Sequence, residues 1–414
     1  MSALREPSTG SRRRRAAVAT ILTGLLAACA TTPIAAPTPT LSSGTGAATT
    51  SAGASVTAAP SPVASPTATP EQSASPGADA CLRAAAALPL QKQVGQLFMV
   101  AIQPGTSPQR VVSTGAGSII LLGDWSGRAP TATQVEAMTR AVPGLLVATD
   151  QEGGQVQRLK GTGFDTIPNA VAQAAMGDAA LASAADKWGT QLWAAGVRYN
   201  LAPVADVVPA AKTSSNQPIG ALKRGYGSDP AVVSARVSAF VTGMEGASIA
   251  TSLKHFPGLG EVTGNTDFTS ATDAVTTRTS PSLAAFKAGI EAGASSVMVS
   301  SAVYSKIDPG VPAVFSPVIV TDMLRGDLGF TGVVISDDLG AAKSVSGVAP
   351  ADRAVRFFAA GGDLLINADL AIQPAMNDAV VKRATTDPAF AKQVTQSAAR
   401  VLALKESVGL SVCS

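Results

Sequence analysis

Residues 329–338 read Gly-Phe-Thr-Gly-Val-Val-Ile-Ser-Asp-Asp, an apolar run that ends in two adjacent carboxylates. The apolar residues are consecutive rather than alternating, which is typical of a strand buried on both faces of a parallel sheet. We therefore interpret residues 332–336 as such a strand, and it delivers Asp337 and Asp338 to the edge of the sheet.

Seven further runs of this kind lie between residues 81 and 414, separated by helical patterns such as 179–195, 231–246 and 282–292. Eight strand–helix units in about 330 residues predict an α/β fold, a (β/α)8 TIM-type barrel made by a single domain. A doubly wound open sheet is the alternative, weakened because no Gly-x-Gly-x-x-Gly follows the first strand. The other strands are predicted at 97–102, 118–122, 145–149, 198–202, 251–255, 296–300 and 363–367.

Polar residues follow three of these strands directly, at 150–158, at 254–258 and at Asp337 and Asp338. Taken singly, an Asp at a strand end often caps the next helix and a Gly-Gly pair often makes a turn. In a barrel, however, the carboxyl ends of all strands lie on the face where active sites are built. The sequence therefore predicts a site on that face.

The composition limits the chemistry of this site. The 31 Lys and Arg nearly balance the 28 Asp and Glu, so the chain is a poor candidate for binding nucleic-acid phosphates. One histidine, His255, and three cysteines exclude His-rich zinc sites and iron–sulfur clusters held by Cys alone. We expect no metal and no cofactor, and chemistry that depends on carboxylates, Lys, Arg and hydroxyl groups.

The N-terminus has the pattern of an export signal. Residues 12–15 are four arginines, and the apolar stretch 16–28 is too short to span a bilayer. The stretch ends in Leu26-Ala27-Ala28-Cys29, which resembles a bacterial lipobox. We predict a signal peptide at 1–28 and lipidation of Cys29, which would anchor an exported protein on the extracytoplasmic side of the membrane. The alternative is an ordinary secretory signal with a chance cysteine.

Residues 29–80 consist almost wholly of Ala, Thr, Pro, Ser and Gly, so we predict a disordered tether that ends where the globular part, 81–414, begins. Cys81 and Cys413 lie at the two ends of that globular part. In an exported protein this placement predicts a disulfide between them, with two unpaired thiols as the alternative.

At its polar segments the chain resembles glycoside hydrolase family 3, in the single-domain β-N-acetylglucosaminidase branch. It is similar to the lipoprotein members of that branch found in actinobacteria. The likeness covers roughly residues 88–375 and rests on the segments 150–158, 200–206, 224–227, 254–260, 298–309 and 329–338.

The resemblance implies roles for individual residues. It implies that Asp337 is the nucleophile of a retaining glycosidase and that five residues bind the sugar. These are Asp150, Arg158, Arg224, Lys254 and His255. The implied function is an exported, membrane-anchored exo-glycosidase that releases β-linked N-acetylglucosamine from cell-wall fragments or glycoconjugates, as a monomer. The alternative is a sugar-binding lipoprotein with little turnover.

The chain departs from the family at the acid/base. In this branch an Asp-Ser-His triplet on a mobile loop follows the Lys-His-Phe-Pro-Gly segment, and its His is the usual acid/base. Here the triplet reads Asn265-Thr266-Asp267. Three alternatives follow: Asp267 replaces the imidazole, Glu261 reaches the site instead, or the acid/base is lost and the protein binds sugar only.

Overall fold

The structure is a computed structural model that describes residues 76–413. The predicted signal peptide, Cys29 and nearly all of the predicted tether lie outside these residues. Among the described residues, no helix is both long and apolar enough to cross a bilayer.

Eight parallel strands form a closed barrel, in which each strand pairs with its neighbours in the sequence and the last strand pairs with the first. The closed sheet confirms the TIM-type barrel and excludes the doubly wound alternative. Each predicted strand is present. The strands are β1 (Phe98–Ile102), β2 (Ser118–Leu121), β3 (Leu146–Thr149), β4 (Tyr199–Asn200), β5 (Ala250–Phe256), β6 (Ser296–Val299), β7 (Val333–Asp338) and β8 (Leu364–Asn367).

Helices connect the strands, and a π-helix at Val318–Asp327 follows β6. Asp229 begins one of them by accepting a hydrogen bond from the N–H of Ala231 at 2.9 Å, with Pro230 at the first helical position. The α-helices are α1 (Pro76–Ala87), α2 (Leu90–Gln96), α3 (Pro108–Val112), α4 (Arg128–Ala141), α5 (Ala170–Ala174), α6 (Asp178–Ala194), α7 (Pro230–Gly246), α8 (Ala284–Glu291), α9 (Pro350–Ala359), α10 (Gln373–Thr386) and α11 (Pro388–Ser407).

The interior of the barrel is a packed core. Side chains such as Met99, Leu146 and Ile335 fill it, and the Tyr199 hydroxyl lies 2.5 Å from that of Ser296. A second and larger core lies between the strands and the surrounding helices. Because side chains fill the barrel interior, a ligand can reach the strand ends from one side only.

The two ends of the described domain are joined. Helix α1 lies against α11, and the sulfur atoms of Cys81 and Cys413 are 2.00 Å apart, which confirms the predicted disulfide. Helix α1 begins at Pro76, ahead of the predicted start at Cys81. The residues before Cys81 are Pro, Gly, Ala and Asp, so their composition does not distinguish this turn of helix from the tether.

The loops that follow the barrel strands contain three short two-stranded sheets. Gln151–Gly153 pairs with Val156–Gln157 after β3. Trp125–Ser126, after β2, pairs with Leu159–Lys160. Thr272–Asp273 and Val303–Tyr304 pair in the same way after β5 and β6. All three sheets lie at the carboxyl ends of barrel strands, where they give the predicted site a fixed frame.

Candidate active site

A cavity of about 380 Å³ opens at the carboxyl ends of the barrel strands. All seven side chains predicted to act on or bind substrate line it: Asp150, Arg158, Arg224, Lys254, His255, Asp267 and Asp337. They come from segments spread between residues 150 and 337 of the sequence, and the closed barrel brings them together. The floor of the cavity is apolar, and all of its residues belong to the barrel core: Ile120, Leu201, Met298 and Ile366.

Charged groups on one side of the cavity form a connected cluster. The Lys254 ammonium donates to Asp150 at 2.8 Å and lies 2.6 Å from a carboxylate oxygen of Glu152. The Arg224 guanidinium donates to both Glu152 oxygens, at 2.9 and 2.8 Å. Two cations and two carboxylates thus hold one another in fixed directions, with donors and acceptors facing the cavity.

Glu152 lies beneath this cluster, and sequence reasoning did not assign it to the site. Burial would raise the pKa of Glu152, but the charges of Arg224 and Lys254 outweigh burial and hold it well below its usual range. Burial would lower the pKa of Lys254, but the negative charges of Asp150 and Glu152 outweigh burial and raise that pKa above its ordinary value. Lys254 therefore stays protonated although it is almost fully buried.

Arg158 has an unused donor. Its guanidinium lies 3.8 Å from Asp150, and its Nε atom is buried without a hydrogen-bond partner among residues 76–413. A buried donor without a partner is costly, by about 1–3 kcal/mol.

His255 is oriented by Asp206. The Nδ1 atom of His255 lies 2.8 Å from one Asp206 oxygen, and the other oxygen accepts from the backbone N–H groups of His255 and Leu259 at 3.1 and 2.7 Å. Asp206 is fully buried, and sequence reasoning did not assign it to the site. This contact engages Nδ1 and leaves Nε2 as the imidazole nitrogen available to a ligand.

The two adjacent carboxylates at the end of β7 have different surroundings. The Asp338 side chain accepts from the backbone N–H groups of Gly340, Ala341 and Ala368 at 2.8–2.9 Å. Asp337 accepts from the N–H of Asp338 alone, at 2.9 Å through Oδ1, so its Oδ2 atom has no hydrogen-bond partner in the described part of the chain. Asp338 therefore holds the loop, while Asp337 is free to act.

Burial raises the pKa of Asp337 to about 6. The neighbouring His255 and the N–H of Asp338 lower that pKa, and the negative charges of Asp267 and Asp338 raise it. Asp267 is thus close enough to influence the ionisation of Asp337. It is exposed at the rim of the cavity, on the loop that follows β5.

Glu261, the alternative acid/base, lies elsewhere. It lines a neighbouring cavity of about 220 Å³ with Val207 and Phe286. Its carboxylate is 2.6 Å from the Lys212 ammonium. Glu261 is therefore engaged outside the cavity that holds Asp337, and the prediction that it reaches the site is wrong for this structure.

The amino-acid pattern of residues 89–404 matches the glycosyl hydrolase family 3 N-terminal domain. All seven of these side chains lie within the matched range. The chain belongs to glycosyl hydrolase family 3. Within residues 76–413, no group of three or more His, Cys, Asp and Glu side chains is placed to hold a metal ion.

Relatives of the chain carry consistent names. The chain is similar to a β-N-acetylhexosaminidase of Beutenbergia cavernae, with 47% identity and a TM-score of 0.75 over 77% of this chain and 99% of that one. A β-N-acetylglucosaminidase structure from Paenibacillus is 29% identical, with a TM-score of 0.69 over 78% of this chain and 63% of that one. A β-hexosaminidase of Xanthomonas oryzae is 36% identical over 61% of this chain and 75% of its own length.

Proposed function

We propose that the protein is an exported, membrane-anchored β-N-acetylhexosaminidase that releases β-linked N-acetylglucosamine by a retaining mechanism. The glycosidase class follows from the family and from the relatives named above. One observation carries the mechanism: Asp337 is a partly buried carboxylate of the cavity that forms no ion pair within residues 76–413, unlike Asp150, and has an oxygen free of hydrogen bonds. Its proposed substrates are cell-wall fragments or glycoconjugates outside the membrane.

The charged cluster suits a sugar ligand. A hexose presents a ring of hydroxyl groups that both donate and accept, so its site needs carboxylates and cations in fixed directions. Asp150 supplies acceptor oxygens, while Lys254, Arg224 and Arg158 supply donors. Glu152 and Asp206 hold these groups and His255 in place from below.

The proposed reaction has two steps. The free oxygen of Asp337 attacks the anomeric carbon while the carboxyl group of Asp267 protonates the leaving oxygen, so the glycosidic bond breaks and a glycosyl ester forms. Asp267, now ionised, then takes a proton from water. The oxygen of that water attacks the same carbon and releases Asp337. Two inversions leave the β configuration unchanged.

The shape of the cavity supports action at a chain end. Its floor consists of side chains of the barrel core, so a saccharide can enter from the open side but cannot pass through. A terminal sugar fits such a dead end, whereas an internal stretch of a polysaccharide does not.

Release of 4-nitrophenol from its β-N-acetylglucosaminide by the purified protein tests the proposal directly. We expect turnover of this substrate and much slower turnover of the matching β-glucoside. If the protein binds N-acetylglucosamine but turns over neither substrate, then the sugar-binding alternative is correct. That alternative is motivated by the replacement of the family's histidine with Asp267.

The pH dependence of the first step follows from the environment of Asp337. Asp337 must be ionised to attack, and its pKa is raised to about 6, so kcat/KM should fall as the pH drops below about 6. With the ordinary pKa of an aspartate at this position, kcat/KM would instead fall near pH 4. Asp267→Asn removes one of the negative charges that raise this pKa, so the acid limb should move to lower pH. A dinitrophenyl glycoside releases a dinitrophenolate that needs little protonation, so it allows the pH profiles of the unmodified protein and of Asp267→Asn to be measured. An acid limb near pH 4 in the unmodified protein would contradict the assignment.

The membrane anchor is proposed on the sequence of the N-terminus alone. Changing Cys29 to Ala removes the predicted lipid attachment site, so we expect the protein to move from the detergent phase to the aqueous phase or the medium. Phase partitioning followed by immunoblotting measures this. Retention of the Cys29→Ala variant in the membrane would show that another segment holds it there.

A further inference from the structure

Phe268 is an apolar side chain in an unusual place. It follows Asp267 directly and lines the same cavity, yet 78% of its surface is exposed. Apart from the His255 imidazole, it is the one aromatic side chain among the described residues that line this cavity. The exposed ring thus lies at the mouth of the site, whereas the large apolar residues of the floor are buried.

The backbone around Phe268 is fixed by hydrogen bonds. The side chain of Asn265 accepts from the N–H of Asp267 at 3.0 Å, and the carbonyl of Asn265 accepts from the N–H of Phe268 at 3.0 Å. The loop after β7 joins this turn, because Lys343 and Ser344 donate to the carbonyls of Asp267 and Thr266 at 3.2 Å. Asp267 and Phe268 are therefore presented together from one braced turn.

We propose that Phe268 is a specificity-determining residue that stacks against the sugar unit on the leaving-group side of the scissile bond. The proposal rests on the function proposed above. If Asp267 protonates the glycosidic oxygen, it lies at the boundary between the two sugar units that this oxygen joins. Its neighbour Phe268, exposed at the mouth of the cavity, then contacts the second unit.

The chemistry of a β-linked pyranose suits this contact. Its axial C–H groups form an apolar face, and the negative face of an aromatic ring attracts those weakly positive hydrogens. Phe268 has most of its ring available for such a contact. The terminal sugar, in contrast, is held by the charged cluster around Glu152 and does not need the ring.

Phe268→Ala separates the two subsites. For a disaccharide of two β-linked N-acetylglucosamine units, we expect kcat/KM to fall about tenfold, mainly through KM, because contacts to the leaving unit are lost. Inhibition by free N-acetylglucosamine, which needs the charged cluster only, should stay within about twofold of the unmodified protein. Phe268→Trp should restore the KM for the disaccharide. Val275→Ala, an exposed apolar residue that lines the neighbouring cavity, is the matched control and should change neither value.

Two outcomes would overturn the proposal. If the KM for the disaccharide is unchanged in Phe268→Ala, the ring does not contact the leaving unit. If the inhibition constant of the monosaccharide rises in parallel, the ring supports the charged cluster instead. Calorimetric titration of both sugars in the Asp337→Asn background, with and without Phe268→Ala, gives the same comparison without turnover. A failure of the proposed hydrolysis therefore leaves the role of Phe268 testable.

Discussion

Asp337→Asn should lower kcat by several orders of magnitude, while the affinity for N-acetylglucosamine changes little. The amide cannot form the glycosyl ester, so the chemical step is lost. The charged cluster around Glu152 is untouched by the substitution, so the terminal sugar still binds. Steady-state kinetics and calorimetric titration measure the two effects separately.

Asp338→Asn is the matched control for this substitution. The Asp338 side chain accepts three backbone N–H groups, so its amide variant should lower the free energy of unfolding and reduce activity far less than Asp337→Asn does. A 2-deoxy-2-fluoro glycoside should label the peptide that contains Asp337. Labelling of Asp338 or Glu152 instead would assign the nucleophile to that residue.

The strands could be predicted because they satisfy a strong physical condition. A parallel strand covered on both faces must be apolar along its whole length, and runs such as Val333–Ile335 show this directly. Strand β4 is harder, since its pairing covers Tyr199 and Asn200 alone. The start of α1 at Pro76 could not be predicted, because the composition of residues 76–80 does not distinguish them from the predicted tether before them.

The site was predictable to the extent that its residues follow strands. Asp150 directly follows β3, while Lys254 and Asp337 lie in the last residues of β5 and β7, and each lines the cavity. Glu152 and Asp206 act through other side chains, and their roles depend on contacts across 72 and 49 residues of sequence. Two buried cations on one face, Arg224 and Lys254, do imply carboxylates near them, and this charge balance is the signal that could have found Glu152.

The environment of Asp267 is consistent with a carboxylate in the acid/base position. The loop after β7 donates a hydrogen bond to the backbone carbonyl of Asp267 and none to its carboxyl group. The carboxyl group is therefore left exposed to the cavity. In the proposed mechanism, Asp337 and Asp267 are the pair of carboxyl groups that most retaining glycosidases use. Glu261, engaged by Lys212 in the neighbouring cavity, does not compete for this role.

Removal of that carboxyl group should affect substrates according to how much they need a proton. General acid catalysis contributes ~10²–10⁴-fold, so Asp267→Ala should slow hydrolysis of a disaccharide by that factor. The phenol of an aryl glycoside departs with little protonation when that phenol is acidic. The first step should therefore persist for such a substrate. Hydrolysis of the glycosyl ester, which needs Asp267 as a base, should then limit turnover.

Azide tests the second step, because it attacks the glycosyl ester without a general base. Added azide should restore turnover of the aryl glycoside by Asp267→Ala and yield a β-glycosyl azide, whose configuration also reports the retaining mechanism. Glu261→Ala is the matched control from the same loop and should show neither the loss nor the rescue, because its carboxylate is bound to Lys212. If Asp267→Ala hydrolyses the disaccharide at the unmodified rate, a different group of the cavity donates the proton. In that case the exposed carboxyl group at the rim influences Asp337 through its charge alone.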